Sequence, residues 1–247
     1  MKEIVAKPHP GKKKSKPFRC KQFDVYQDRC GMKVGTDGML LGAWAGVHQV
    51  QRILDVGTGT GLLSLMMAQR NVLANIDAVE LDEHASQQAK ENFLRSPWKE
   101  RLHIHEGCYE QFQTLHTYDL IVSNPPYFEN SLKPELDQRK KARHTDSLSL
   151  ESFLAKSLDL LKPEGRIQVI LPVEQGERLI RLGKELGLCL IKRCKVCPGP
   201  DKPVFRYLLS LQKIPGTIEE EKLFIYQKGN QYSEKYIELT KGFYTIF

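Results

Sequence analysis

Three groups of residues in this 247-residue chain have types and spacing suited to chemistry. The first is Asp55-Val56-Gly57-Thr58-Gly59-Thr60-Gly61, an acid followed by three glycines at alternate positions. Glycines let a backbone turn tightly and meet a ligand with no Cβ in the way. The second is Glu80, 19 residues after Gly61, with Leu81 behind it. A carboxylate there can accept hydrogen bonds from two neighbouring hydroxyls, and each bond to a charged group contributes about 1.5–3 kcal/mol. The third is Ser123-Asn124-Pro125-Pro126-Tyr127. Two prolines stiffen the chain and remove N–H donors, so a carbonyl can point outward. The Asn124 side-chain oxygen and the Pro125 carbonyl can then accept both hydrogens of a planar amine. Tyr127 offers a face on which a flat base stacks.

The surrounding pattern says what positions these groups. Arg52 to Val56 reads as a short apolar strand, the glycines as a turn, and Leu62 to Gln69 as an apolar helix. Ile76 to Leu81 follows as a second strand. Glu83 to Arg95 is an amphipathic helix that Asp82 should begin. Leu102 to His105 and Tyr118 to Ser123 make the third and fourth strands. Leu150 to Leu161 is a helix stopped by Lys162-Pro163-Glu164-Gly165, before a fifth strand at Arg166 to Leu171 and a helix near Glu174 to Leu186. Alternation of this kind predicts a parallel sheet with helices on both faces.

Leu188 to Val196 and Phe205 to Lys213 are joined by a loop bearing Pro198, Gly199, Pro200 and Pro203. That loop is too short for a crossover helix, so the two strands should pair antiparallel. The expected fold is therefore α/β and Rossmann-like, mostly parallel and ending in an antiparallel hairpin. Upstream, Phe18 to Val25 suggests a small hairpin. A helix runs from Thr36-Asp37-Gly38 through Leu40, Leu41 and Trp44, with Thr36 or Asp37 as its cap. Ser233 to Phe243 should make a terminal helix. Residues 1–17 read as a disordered basic arm, and 18–247 as one domain whose first part, 18–50, is the hairpin and helix extension.

The glycine register discriminates between cofactors. A dinucleotide turn needs G-x-G-x-x-G, but Leu62 and Ser64 stand where the third glycine would fall. The acid-led G-x-G-x-G instead resembles the first motif of the S-adenosylmethionine-dependent methyltransferases. That likeness implies S-adenosylmethionine as cofactor, its methionine end against the turn and its ribose on Glu80. It also implies catalysis by alignment and preorganised acceptors rather than by a strong base. Many such enzymes carry an aspartate after the third strand to contact the cofactor's adenine. Here the stretch is Glu106-Gly107-Cys108-Tyr109, which leaves backbone groups of Gly107 and Cys108 for that contact.

A narrower resemblance covers residues 18–247. Phe18-Arg-Cys-Lys-Gln-Phe23 and Asp28-Arg-Cys-Gly-Met-Lys-Val-Gly-Thr-Asp-Gly-Met-Leu-Leu-Gly-Ala-Trp44 carry most of it. The Asn-Pro-Pro-Tyr loop, Ser96-Pro97-Trp98, Ala142-Arg-His-Thr145, Tyr232-Ser-Glu-Lys-Tyr236 and Gly242-Phe-Tyr244 add to it. Together they are similar to the bacterial tRNA adenine-N6 methyltransferases that modify the adenosine 3′ of the anticodon in valine tRNA. The resemblance implies methyl transfer to the exocyclic N6 of an anticodon-loop adenosine. It also implies that Lys33, Thr36 and Asp37 flank the cofactor's methionine end, with Asp37 a partner for its amino group. Two other targets share the loop: Asn-Pro-Pro-Tyr occurs in enzymes that methylate a glutamine side chain of release factors, and related loops occur in guanine-N2 methyltransferases of ribosomal RNA.

Charge distribution fits a nucleic-acid partner. Residues 1–21 hold eight Lys/Arg against Glu3 alone, a local +7 that equals the formal charge of the whole chain. Arg139, Lys140, Lys141 and Arg143 after the Asn-Pro-Pro-Tyr loop, and Lys192, Arg193 and Lys195 on the late hairpin, are further candidates to hold tRNA phosphates. A loop base is cheaper to extrude than a paired one. Six cysteines are too few for a disulfide framework at this length, which favours a reducing compartment. Cys194 and Cys197 form one C-x-x-C without the second pair that zinc requires, so no metal is expected. No apolar run approaches the 18 or so residues that span a bilayer. Pro8, Pro10 and lysines stand where a signal peptide needs an apolar stretch. The expected location is the cytoplasm, with no membrane partner.

Overall fold

The computed structural model describes residues 16–125, 148–229 and 231–247. A two-residue ladder of β1 (Phe18–Arg19) and β2 (Asp24–Val25) opens the chain, as its alternating pattern predicts. Helix α1 (Thr36–Trp44) follows. Then come β3 (Arg52–Val56), α2 (Leu62–Arg70), β4 (Asn75–Glu80), α3 (Glu83–Arg95), β5 (Leu102–Glu106) and β6 (Tyr118–Ser123). The second half contains α4 (Leu150–Leu160), β7 (Leu161–Pro172), α5 (Val173–Glu185), β8 (Cys189–Cys197), β9 (Arg206–Gln212), β10 (Glu219–Phe224) and α6 (Glu234–Thr240).

Eight strands form one sheet in the order β10-β8-β9-β7-β6-β3-β4-β5. Its central members are nearly continuous apolar runs, because helices cover both faces. One core lies under α1, α2, α3 and Tyr236 of α6. The other lies under α4, α5 and the turn at Tyr109. Strands β3 to β7 run parallel, while β9 is antiparallel to both of its neighbours, β7 and β8. The expected hairpin is thus present, with its second strand inserted against the parallel sheet. From β3 the chain proceeds outward to β4 and β5, then returns to the other side of β3 for β6 and β7. That reversal opens a crevice at the carboxyl ends of β3 and β6, where such sheets bind ligands. No helix among the described residues is long and apolar enough to cross a membrane.

Four details differ from the sequence expectation. Strand β7 begins at Leu161 rather than Arg166, accommodated by a register shift opposite Tyr118 and Leu120. Gly35, not Thr36 or Asp37, occupies the N-cap of α1, and no side chain caps it. Asp37 is instead bonded to Arg206, 169 residues away. Strand β10 had no apolar alternation to announce it; it pairs parallel with β8 by setting Glu219, Glu220 and Glu221 beside Lys192, Arg193 and Cys194.

Candidate active site

The glycine turn is built by its own strand. Asp55, fully buried near the end of β3, accepts from Thr58 Oγ1 at 2.6 Å, Ser64 Oγ at 2.7 Å and Ser64 N at 3.1 Å, all on Oδ2. These bonds tie the strand end, the turn and the start of α2 into one unit. Oδ1 is equally buried and has no hydrogen-bond partner among the described residues. Burial pushes the Asp55 carboxyl up to about 6 despite the bonds to Thr58 and Ser64. Gly57, Gly59 and Gly61 have φ of 69°, 58° and 82°, a region that side chains resist. A Cβ on Gly57 or Gly59 would meet nothing within 4 Å, so the turn presents bare backbone to open space. On Gly61 it would strike the Phe93 ring at 2.5 Å.

Glu80 closes β4 beside this turn. Its Oε2 accepts from Gly59 N at 2.7 Å and its Oε1 from Asp82 N at 3.0 Å. Each oxygen keeps a second lone pair for a ligand, and the carboxylate is fixed before any ligand arrives. Leu81, the next residue, is half exposed. Asp82 caps α3 through Ala85 N at 2.8 Å, the role its position predicted. After β5, Gly107 (φ 138°) donates its N–H to the Glu80 carbonyl, and the Cys108 thiol lies 3.4 Å from Glu110 Oε2.

The Asn-Pro loop leaves the adjacent strand. Ser123 Oγ donates to the Val56 carbonyl at 2.8 Å, joining the last residue of β6 to the residue that precedes the glycine turn. Asn124 is half-buried and Pro125 buried. Helix α1 packs against the start of α2 and against Asn124: a Cβ on Gly38 would lie 2.9 Å from the Leu62 side chain and 3.7 Å from Asn124 Nδ2. Glycine at 38 therefore lets α1 approach both. Pro126 and Tyr127 lie outside the described residues, as do residues 1–15 of the basic arm and Arg139, Lys140, Lys141 and Arg143.

The segment from Tyr26 to Val34, whose Asp28–Val34 part carries the family resemblance, is a strap anchored to the site by α3 side chains that the sequence reading did not single out. Asn92, buried inside α3, donates from Nδ2 to the Thr60 carbonyl at 2.8 Å and to the Tyr26 carbonyl at 2.9 Å. Its Oδ1 accepts from Tyr26 N at 3.0 Å. Gln88, also buried, accepts from Arg29 N at 3.3 Å, and Arg95 sits 4.5 Å over the Tyr26 ring. Tyr26 and Arg29 are thereby tied to α3 beside Thr60 of the glycine turn, and Val34 N bonds back to Gln27 Oε1 at 2.8 Å. Burial, then the neighbouring charges of Glu80 and Asp82, push the Cys30 thiol up to about 12. The signal was available: Gln88 and Asn92 share the buried stripe of Ala85, Ala89 and Phe93 at helical spacing. Lys33 and Thr36 are exposed at the end of this strap, and Asp37 is held by Arg206 Nε at 2.8 Å.

The late-hairpin bases are not free for phosphate. Lys192 pairs with Glu219 and Glu221, Arg193 with Glu220 and Glu177, and Lys195 with Glu220. The expectation that these three hold tRNA is corrected by β10, whose acids neutralise them.

Comparison with known proteins agrees with this geometry. A family profile described as methyltransferase small domain matches residues 38–191. A tRNA1(Val) (adenine(37)-N6)-methyltransferase of Vibrio vulnificus is 44% identical over 234 residues, covering 95% of this chain and 98% of that protein. One of the same name from Parabacteroides distasonis is 45% identical over 230 residues, covering 92% and 97%. Among solved structures, one described as a predicted O-methyltransferase from Agrobacterium tumefaciens superposes with a TM-score of 0.65 at 17% identity, over 84% of this chain and 96% of that one.

Proposed function

From the premise that this chain belongs to the methyltransferase small-domain family and to its tRNA1(Val) (adenine(37)-N6)-methyltransferase branch, we propose how its residues carry out that transfer. The substrate is the exocyclic amine of an anticodon-loop adenosine, the methyl donor S-adenosylmethionine, and the setting the cytoplasm. The observation that carries the reading is the bond from Ser123 to the Val56 carbonyl. It sets the start of the Asn124 loop beside the glycine turn at one sheet edge, which supports the proposed grip on an amine there.

The donor set fits S-adenosylmethionine. Asp55 Oδ1, buried without a donor, suits an ammonium; Glu80, fixed by two backbone N–H groups, suits a ribose diol; bare glycine backbone suits close approach. Gly57, Thr58, Gly59 and Gly61 shape the cradle. Lys33, Thr36 and Asp37 flank it, with Asp37 a second partner for the ammonium, Asn124 borders it from the neighbouring loop, and Leu81, Gly107 and Cys108 border the adenine. Bound there, the cofactor supplies an electrophilic methyl group.

Asn124 Oδ1 and the Pro125 carbonyl accept the two hydrogens of the adenine amine. Held this way, the nitrogen directs its lone pair toward the glycine turn as it pyramidalises. The acceptors are in place beforehand, so no reorganisation is needed at the moment of transfer. Pro126 stiffens the loop, and Tyr127 stacks on the extruded base. The amine proton leaves after transfer, and no described residue is required as a strong base. Tritium transfer from labelled cofactor to unmodified tRNA and, in parallel, to a release factor tests the target. Label in N6-methyladenosine from tRNA is expected; label in the release factor alone would transfer the site to glutamine.

A further inference from the structure

A pile of three tyrosine rings stands at the far end of the catalytic edge. Tyr236 of α6 is buried, Tyr232 is half-buried, and Tyr226 is 37% exposed. Tyr236 and Tyr232 stack with centroids 5.1 Å apart and planes at 10°. Tyr232 and Tyr226 stack at 5.0 Å and 27°. Phe247 packs edge-on against the inner two rings, fixing them from the side. The pile runs from the core to the surface, and its outermost ring, Tyr226, is the most exposed of the three.

Strand direction sets where it opens. Strand β10 runs parallel to β8, and β8 and β7 are each antiparallel to β9, so β10 and β6 point the same way. Tyr226 lies just beyond the carboxyl end of β10, as Asn124 does beyond that of β6. Tyr226 N also bonds the Pro198 carbonyl at 2.9 Å, which joins the pile to the 198–205 loop on the same edge. Four strand spacings separate β6 from β10, about 19 Å at ~4.8 Å each. At a rise of ~3.4 Å per nucleotide, that is on the order of six nucleotides.

Charge on this edge matches a polyanion. Lys202, Lys228 and Lys235 are exposed, and none forms an ion pair among the described residues. Phe205 carries the Arg206 guanidinium 4.9 Å above its ring, and Arg206 is also paired with Asp37 of α1. Asp201 and Glu234 are the opposing acids. Bases interleaved with exposed aromatic faces bind single-stranded nucleic acid.

We propose that Tyr226 is a stacking platform for an unpaired base of the same RNA whose target adenine enters the Asn124 loop, with Lys202 and Lys228 on the intervening phosphates. This rests on the reading that the substrate is RNA. It makes the enzyme a reader of a loop several nucleotides long, and not of an isolated adenosine.

Steady-state methylation of full tRNA, and of a trinucleotide carrying the target, tests it. Tyr226→Ala should raise KM for tRNA about 5- to 150-fold, the range of one lost base stack. It should leave kcat and cofactor affinity unmoved, and leave the trinucleotide unaffected. Tyr226→Phe keeps the ring and should behave as the parent. Lys202→Gln and Lys228→Gln should each flatten the log–log salt slope of tRNA binding by about 0.7. A KM for Tyr226→Ala within twofold of the parent would overturn the platform. Ultraviolet cross-linking of the parent protein to tRNA needs no variant. It should give an adduct on Tyr226, and adducts confined to other peptides would overturn the proposal. A parent protein that methylates no tRNA would instead remove the functional reading itself.

Discussion

Replacing Asp55 by asparagine separates charge from shape at the base of the glycine turn. The side chain is fully buried, and its three bonds all fall on Oδ2, so an amide oxygen can keep them. Burial raises the carboxyl from 3.8 to about 6 in the folded protein. A raised acid favours folding while protonated, and that advantage is lost as pH rises through the folded value. At about 1.36 kcal/mol per unit, two units amount to roughly 3 kcal/mol, lost between about pH 4 and pH 7. Asparagine does not titrate. The stability difference, parent minus Asp55→Asn, should therefore shift against the parent by roughly 3 kcal/mol over that interval. Groups common to both proteins cancel in the subtraction. Urea unfolding at half-unit steps of pH, extrapolated to water, reads it directly. A difference that stays flat from pH 4 to 7 would refute the buried, charged Asp55. The variant should also bind S-adenosylmethionine more weakly, because in the proposed site the amide turns the Oδ1 acceptor into a donor toward the ammonium.

Other expectations follow from the same geometry. Glu80→Ala removes acceptors worth about 1.5–3 kcal/mol each, so calorimetry should show cofactor affinity weakened at least ~10-fold. Gly61→Ala combines a left-handed backbone with a Cβ 2.5 Å from Phe93, and urea unfolding should show a loss of about 2 kcal/mol or more. Asn92→Ala leaves backbone groups of Tyr26 and Thr60 without their partner. Hydrogen exchange should quicken across residues 26–34 while the sheet amides stay protected.

The sheet and its crevice were legible because βα units announce themselves locally. Helix α3 began and ended at the expected residues, with Asp82 as its cap, since capping and amphipathic spacing act within a few residues. What escaped depends on distant partners. Strand β10 reads Glu-Glu-Glu-Lys-Leu-Phe, with nothing to bury on an alternating face; its pairing comes from the bases of β8, which its acids then occupy. Those bases looked available for phosphate only while β10 was unknown. Asp37 looked like a cap because Arg206 is 169 residues away. In the site itself, the glycine turn, Glu80 and Asn124 were visible as motifs, whereas the strap of residues 26–34 hung on Asn92, a polar residue on an apolar helix stripe. The same stripe, read for its polar members, would have found it.

The sharpest test of the site is Asn124→Ala, followed by two readouts on one preparation. Calorimetry should give a cofactor affinity within about twofold of the parent, since the role proposed for Asn124 lies mainly in gripping the substrate amine. Single-turnover methylation of valine tRNA should fall about 10²–10³-fold, the cost of removing one preorganised polar partner. Undiminished transfer, or a loss of cofactor binding large enough to account for the fall, would contradict a target nitrogen held by this loop beside the glycine turn.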